Sequence, residues 1–262
     1  MIVLALAAAL VVQDAAAIER RVAAVTDGEV RLQFAARPGV VGNGRNVIAW
    51  DCTEYGRCSR QQMDGDWDDG DREWRRLYEP GPVRVSLRIR ERAVVALRTY
   101  VGGAWRPGDR VTDLGTVPAA AAASYLLGMA RRDDGRPAQD AIFAAALADS
   151  AVIWRDLLAI ARNREIRNDT RKKAVFWLGQ EAEAAATAGL DALIDAGDET
   201  QEVREAAVFA LSQRPRDEGV PALIRIARDH RDARLRRRAL FWLAQSNDPR
   251  AVDLFEEILT RK

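Results

Sequence analysis

The sequence contains very few of the residues on which metal and nucleophilic chemistry depend. Its 262 residues include one histidine, His230, and two cysteines, Cys52 and Cys58. A Cys/His zinc cluster therefore cannot be assembled, and any histidine-based catalytic arrangement would have to use His230. Neither charge is in excess, because 40 basic residues stand against 39 acidic ones. The composition supplies no global attraction to nucleic acid or to an anionic membrane, and it indicates no metal and no cofactor.

The N-terminus carries an uninterrupted apolar run over residues 2–12, followed by two polar residues and then three alanines at 15–17. A run of this length before a small-x-small site is typical of a secretory signal peptide, and it is shorter than the ~20 residues that cross a bilayer. We therefore predict a signal peptide over 1–17, cleaved after Ala17, and a periplasmic or secreted location. A buried N-terminal helix is the alternative, because no Lys or Arg precedes the apolar run.

Residues 18–117 are predicted to form a small β-rich domain. Alternating apolar and polar residues over 28–36 and 83–90 are typical of half-buried strands. A further apolar stretch, 93–101, follows the polar pair at 91 and 92, which predicts a hairpin closed at 90–92. We expect these strands to form a small antiparallel sheet.

A long irregular segment over 37–82 separates the first strand from the hairpin. It contains Cys52 and Cys58, for which export would favour a disulfide that closes a small loop, with two free thiols as the alternative. Its acidic stretch, 64–74, offers clustered carboxylates to calcium. The EF-hand spacing fails, however, because neither the required Gly nor the required Glu stands at its position. A solvated acidic turn is therefore the preferred interpretation.

The C-terminal half contains a repeating motif. AVFWLGQ at 174–180 returns as AVFALSQ at 207–213 and as ALFWLAQ at 239–245, and a weaker copy, IFAAALA, lies at 142–148. Self-similarity at a spacing of 32–33 residues predicts a solenoid, in which each helix pair buries its apolar face against its neighbours. The recurring aromatic and aliphatic residues are expected to form one continuous core row: Phe176, Phe209, Phe241, Leu178, Leu211 and Leu243.

From Pro118 onward the sequence favours helices joined by short polar turns. Pro118 suits a first helical turn, the alanine-rich stretch after it has high helix propensity, and apolar residues then recur at helical spacing. The predicted helices span 119–132, 138–148, 150–162, 166–180, 184–196, 199–213, 217–229, 232–245 and 248–261. The predicted fold class is α+β, with the β domain over 18–117 followed by an all-α solenoid of about four helix pairs over 118–262.

Residues 202–229 carry a more specific pattern, EVREAAVFALSQRPRDEGVPALIRIARD. A Val-Arg pair opens one helix, an Ala-Leu pattern follows, and a VPAL-type start opens the next. In these features the stretch resembles the HEAT repeat, in the variant also found in phycobilisome-lyase-like proteins. The resemblance extends over about 118–262, and it implies that each repeat is an outer helix followed by an inner one.

The resemblance also implies a ladder of arginines, one for each repeat. Arg171, Arg204 and Arg236 stand at equivalent positions near the starts of the inner helices. In the family a turn acid a few residues earlier pairs with this arginine, which implies Glu165 for Arg171 and Asp198 for Arg204. Charge-assisted bonds of this kind tie neighbouring turns together.

HEAT arrays are mostly binding modules, and the sequence shows no nucleophile–base pair. The resemblance therefore implies a non-enzymatic protein-binding or scaffolding module with another protein as its partner, and the predicted signal peptide assigns that module to the bacterial cell envelope. The predicted contact surface is the row of inner helices. Its candidate residues are those expected to face away from the Phe–Leu core: Arg171, Lys172, Arg204, Glu205, Arg237 and Arg238.

Two alternatives come from other HEAT-like proteins. Some are DNA glycosylases that grip the DNA backbone with a basic groove, for which residues 171–173 and the arginines within 234–238 would supply phosphate contacts. Others are lyases that attach tetrapyrrole pigments, although nothing in the sequence marks a pigment pocket. Trp177 and Trp242 adjoin the repeating Phe and Leu and are expected to lie in the core, whereas an exposed Trp there would be an interface anchor.

Overall fold

The structure is a computed structural model, and it describes four ranges of the chain: 15–44, 48–50, 79–132 and 135–260. Contacts divide the chain into two compact units, the first ending at Ile153 and the second starting at Trp154. In the described ranges no helix combines the length and the apolar character that a membrane span requires. The predicted disulfide between Cys52 and Cys58 and the acidic stretch 64–74 lie outside the described residues.

Helix α1 covers residues 15–23 of the described chain. Its Ile18 and Val22 are buried, because a spacing of four residues places them on one face. The predicted cleavage position after Ala17 lies within this helix. Cleavage there stays a prediction, since residues 1–14 lie outside the described part.

The seven strands that the structure describes in the first unit form two sheets. In chain order they are β1 (Gly28–Phe34), β2 (Val40–Gly42), β3 (Ile48–Trp50), β4 (Glu79–Pro80), β5 (Val83–Arg90), β6 (Ala93–Val101) and β7 (Val111–Thr116). The larger sheet has the order β6-β5-β1-β7, and the smaller has the order β3-β2-β4. The antiparallel pairing of β1, β5 and β6 is as expected, but β7 pairs parallel with β1. The larger sheet is therefore mixed.

The hairpin between β5 and β6 closes where the sequence predicts it. Alternate residues of β5 are buried, in agreement with its period-2 pattern. Arg90 pairs with Ala93, which leaves Glu91 and Arg92 as a two-residue turn. Both have positive φ, 50° and 63°, the combination that a type I′ turn requires and that matches the twist of the flanking strands.

Two helices of the first unit follow the sheets, α2 (Ala119–Arg132) and α3 (Arg136–Ala146). The sequence-predicted boundary at 117/118 coincides with the change from strand to helix. The contacts nevertheless group both helices with the sheet, because α3 packs on β6 and an isolated bridge joins Ala36 to Ala148. The weakest copy of the repeated motif therefore lies in the first unit.

The second unit consists of helices stacked in two layers. They are α4 (Trp154–Arg162), α5 (Asn168–Gly179), α6 (Ala184–Asp195), α7 (Gln201–Ser212), α8 (Arg216–Asp229), α9 (Ala233–Ala244) and α10 (Pro249–Thr260). The inner helices α5, α7 and α9 contact one another, and the outer helices α4, α6, α8 and α10 do likewise. Every helix predicted from 119 onward is present, with ends that differ from the prediction by at most four residues.

The repeated leucines form the core between the layers. Leu178, Leu211 and Leu243 are each at most 1% exposed. The inner helices also approach one another closely, because a Cβ added to Gly179 would lie 2.9 Å from the Cβ of Ala210. Small residues at this position of the motif therefore let α5 and α7 pack with their backbones near each other.

A fragment of residues 154–262 is expected to fold by itself, since solenoid contacts join neighbouring repeats only. Its circular dichroism spectrum should show helical minima, and heating should remove them in one cooperative transition. A spectrum without those minima would show that the second unit needs the first in order to fold.

Candidate binding surface on the inner helices

Arg171 and Arg204 are buried where each inner helix meets the outer helix of its own repeat. Their exposed fractions are 1% and 8%. Nε of Arg171 donates to the carbonyl oxygen of Ala161 at 2.9 Å, and Nε of Arg204 donates to that of Ile194 at 2.9 Å. Both acceptors lie in the last turn of an outer helix, where carbonyl groups lack partners within the helix. Each arginine thus caps the outer helix that precedes it.

The acidic partner of each arginine comes from the following repeat. Arg171 forms an ion pair with Glu199, and Nη1 of Arg204 lies 3.4 Å from Oδ2 of Asp232. Both acids precede the next inner helix, and each stands 28 residues after its arginine. The ladder therefore joins successive repeats.

The acidic partners that the family resemblance implied for Arg171 and Arg204 are wrong. Asp198, expected to pair with Arg204, lies 2.7 Å from Nη2 of Arg164 instead. Glu165, expected to pair with Arg171, is exposed. A turn acid can face the arginine after it or the arginine of the previous repeat, and the spacing within one repeat does not distinguish the two.

Burial also changes the set of candidate contact residues. The sequence predicts that Arg171 and Arg204 face away from the core, but their guanidinium groups lie between helices and form hydrogen bonds there. The other four candidates reach the surface of the inner helices, and their contact with a partner stays a prediction: Lys172, Glu205, Arg237 and Arg238.

Charges on this surface largely neutralise one another. Nζ of Lys172 lies 2.9 Å from Oδ1 of Asp169, and this hydrogen bond raises the pKa of Lys172 and lowers the pKa of Asp169. Nη2 of Arg238 donates to Oε2 of Glu205 at 3.0 Å. The amide of Gln201 and then Arg238 hold the pKa of Glu205 below its usual range. Asp169 and Glu205 thus stay ionised near neutral pH and offset the cations beside them.

The three repeated phenylalanines form a row at the surface, whereas the sequence placed them in the core. The ring centroids of Phe176 and Phe209 are 6.2 Å apart with planes inclined by 21°. The ring of Trp242 lies 4.9 Å from Phe209 and 4.9 Å from Phe241. Phe176 and Phe209 are partly exposed, and Phe241 is 51% exposed. We call Phe176, Phe209, Trp242 and Phe241 the aromatic row.

The two repeat tryptophans differ in burial. Trp177 is 2% exposed, so its predicted place in the core is confirmed, and its ring meets Phe176 edge to face at 5.3 Å. Trp242 is only partly buried and belongs to the aromatic row. The middle repeat has Ala210 at the equivalent position, where the close approach of α5 and α7 leaves no room for a large side chain.

His230, the single histidine, is buried in the turn between α8 and α9. Its Nδ1 accepts a hydrogen bond from the backbone N–H of Asp232 at 3.0 Å, and its Nε2 lies 3.3 Å from Nη2 of Arg204. These contacts place the ring within the junction between two repeats, where it helps to position the acid that pairs with Arg204.

An arginine cluster in the first unit surrounds Trp105. The guanidinium groups of Arg31 and Arg84 lie 5.1 and 5.7 Å from the centre of its ring, within cation–π range. Arg31 also donates to Glu29 at 2.7 Å and to the carbonyl oxygen of Arg106 at 2.7 Å. Arg84 donates to backbone carbonyls that follow β6. These donors are engaged inside the fold, so the cluster fixes the segment after β6 against the sheet.

The two layers of stacked helices make the second unit an α-solenoid. Residues 190–262 match the family model described as HEAT repeats, and this range extends from within α6 to the end of the chain. The second unit therefore carries HEAT repeats over this range. HEAT repeats are generally protein-interaction scaffolds and are typically not enzymes. No curated protein sequence matches the chain.

Acid is expected to destabilise the second unit. The pKa of Glu218 is lowered by a hydrogen bond from Thr187 and by Arg214, whose Nη2 lies 2.7 Å away. In the unfolded chain this carboxyl has its ordinary pKa of 4.5. Its contribution to stability is therefore present above that pH and lost as the pH falls below it. Urea unfolding at about pH 7 and about pH 3.5 should show a smaller loss of stability in Glu218→Gln than in the unchanged chain. An equal loss in both would assign the acid sensitivity to other groups.

Proposed function

We propose that the chain is a non-enzymatic scaffold that binds another protein through the exposed face of α5, α7 and α9. The aromatic row carries this proposal. Its four rings lie side by side along three helices, and Phe241 at one end is half exposed. Surface aromatic side chains supply a large apolar contact area while losing few rotatable bonds, and they are the usual anchors of protein interfaces.

Site-specific photocrosslinking tests this surface directly. Benzoylphenylalanine in place of Phe241 should form adducts with a partner protein when cells that produce the chain are irradiated. The matched control carries the same residue in place of Val252, which is 54% exposed but lies on the outer helix α10. Adducts at 241 that are absent at 252 support the proposal. Equal labelling at both positions, or adducts at 252 alone, would contradict it.

The proposal includes a location in the cell envelope, which follows from the signal peptide predicted over residues 1–17. Cell fractionation of a C-terminally tagged chain should recover it in the periplasmic or secreted fraction, and N-terminal sequencing should start at Ile18. A full-length chain in the cytosolic fraction would contradict the location and leave the binding surface unaffected.

A further inference from the structure

One end of the aromatic row lies beside two arginines on the same face of α9. Arg234, Arg237 and Phe241 follow one another at spacings of three and four residues, which places them on one side of the helix. All three are exposed, and Phe241 is 51% exposed. The ring of Trp242 lies directly beside that of Phe241 in the aromatic row, and it also contacts the ring of Phe209. This side of α9 therefore combines apolar rings with positive charge.

These two arginines are cations of the inner helices that no described residue binds directly, although the carboxylate of Glu205 is close enough to Arg234 for the two charges to attract each other. Lys172 and Arg238 are bound by acids, and Arg236 donates to the carbonyl oxygens of His230 and Arg231. In the described part of the chain, the guanidinium groups of Arg234 and Arg237 form no hydrogen bond and no ion pair. Helix α9, ARLRRRALFWLA, contains no acid that could offset them.

We propose that Arg234, Arg237 and Phe241 bind an acidic segment of the partner protein that also carries a large apolar side chain. The inference rests on the proposed function and adds the chemistry of the partner. Two carboxylates bind the two guanidinium groups through paired charge-assisted hydrogen bonds. The apolar side chain packs against Phe241 and Trp242, and it excludes water from the ion pairs beside it.

The neighbouring charges favour a protein over nucleic acid as the occupant. A phosphate backbone requires a run of cations along its length. On the neighbouring helix α7, Glu205 binds Arg238 of α9, and the exposed Glu202 lies 3.8 Å from Nζ of Lys172 of α5. A continuous polyanion crossing from α9 to α7 would meet these carboxylates, whereas a short acidic segment is confined to α9.

Selection from a display library identifies the preferred ligand. Random peptides of about 12 residues, a length that spans the inner helices when extended, are selected against the immobilised full chain. The recovered peptides should contain at least two acidic residues and one large apolar residue. In a fluorescence anisotropy titration with the most enriched peptide, Arg234→Glu/Arg237→Glu should weaken binding by about 30-fold or more, and Phe241→Ala by about 10-fold.

A charge-matched variant controls for general electrostatics and for folding. Arg155→Glu/Arg216→Glu makes the same charge change at exposed positions of the outer helices α4 and α8. It should weaken binding by less than about 3-fold, as expected for charges remote from the contact. Far-ultraviolet circular dichroism of every variant should match that of the unchanged chain.

The outcomes separate this inference from the proposed function. Recovery of no binding peptide, or of peptides without acidic residues, would overturn the acidic-segment inference. Binding that depends on Phe176 and Phe209 but not on the two arginines would overturn it too, while leaving the inner face as the binding surface. Duplex DNA that binds more tightly than the best peptide, with the same loss in Arg234→Glu/Arg237→Glu, would replace the acidic peptide with nucleic acid.

Discussion

Replacing Arg171 with leucine is expected to lower the free energy of unfolding by about 3–5 kcal/mol. The side chains of Arg171 and Glu199 are 1% and 4% exposed and form an ion pair between successive repeats. Without the arginine, the carboxylate of Glu199 stays buried with no cation beside it, and the carbonyl oxygen of Ala161 loses its donor. Urea unfolding followed by circular dichroism measures the loss.

A double variant distinguishes the stability lost through an unpaired buried charge from the stability lost through poorer packing. Arg171→Leu/Glu199→Leu removes both charges and should recover most of the lost stability, because replacing both members of a buried pair costs much less than leaving one alone. Arg164→Leu is the surface control. Its partner Asp198 is 78% exposed, so the cost should stay below about 1 kcal/mol. A double variant as unstable as Arg171→Leu would show that lost packing, rather than unpaired charge, dominates.

Trp177→Ala is expected to destabilise the chain by about 3–5 kcal/mol, because it opens a cavity among fully packed side chains. Trp177 is 2% exposed and lies in the repeated motif directly after Phe176. Phe241→Ala should cost less than about 1 kcal/mol, since half of that ring already faces water. Thermal and urea unfolding of both variants test this difference. Similar losses for the two would mean that the aromatic row is structural rather than a surface for a partner.

The helices were predictable from the sequence because the apolar spacing is strong and recurs three times in similar form. Leu178, Leu211 and Leu243 were correctly placed in the core for the same reason. The phenylalanines recur at the same period, two positions before the leucines, and they lie on the partly exposed face of each inner helix. Periodicity shows that residues share a face, but it does not show whether that face meets another helix or water.

Two other differences have equally local causes. Strand β7, VTDLGT, contains one buried residue, Leu114, so it carries no period-2 signal and its parallel pairing with β1 was not predictable. The positions of the ladder arginines were predicted correctly, but their acidic partners were not. Arg204 reaches Asp232 only because α9 packs beside α7. This packing arises from the stacking of the repeats and cannot be read from the sequence of one repeat.

Each ladder arginine pairs with an acid of the following repeat. The array can therefore lose a whole repeat and still form these ion pairs. Asp232 follows Glu199 by 33 residues, which equals the distance between the first two copies of the motif. A chain shortened by residues 181–213 would therefore bring Asp232 to the place where Glu199 stood, and Arg171 would again meet a carboxylate. Insertions or deletions of other sizes would break that register and leave a buried arginine without a carboxylate. The spacing of the ladder therefore restricts which array lengths are compatible with folding.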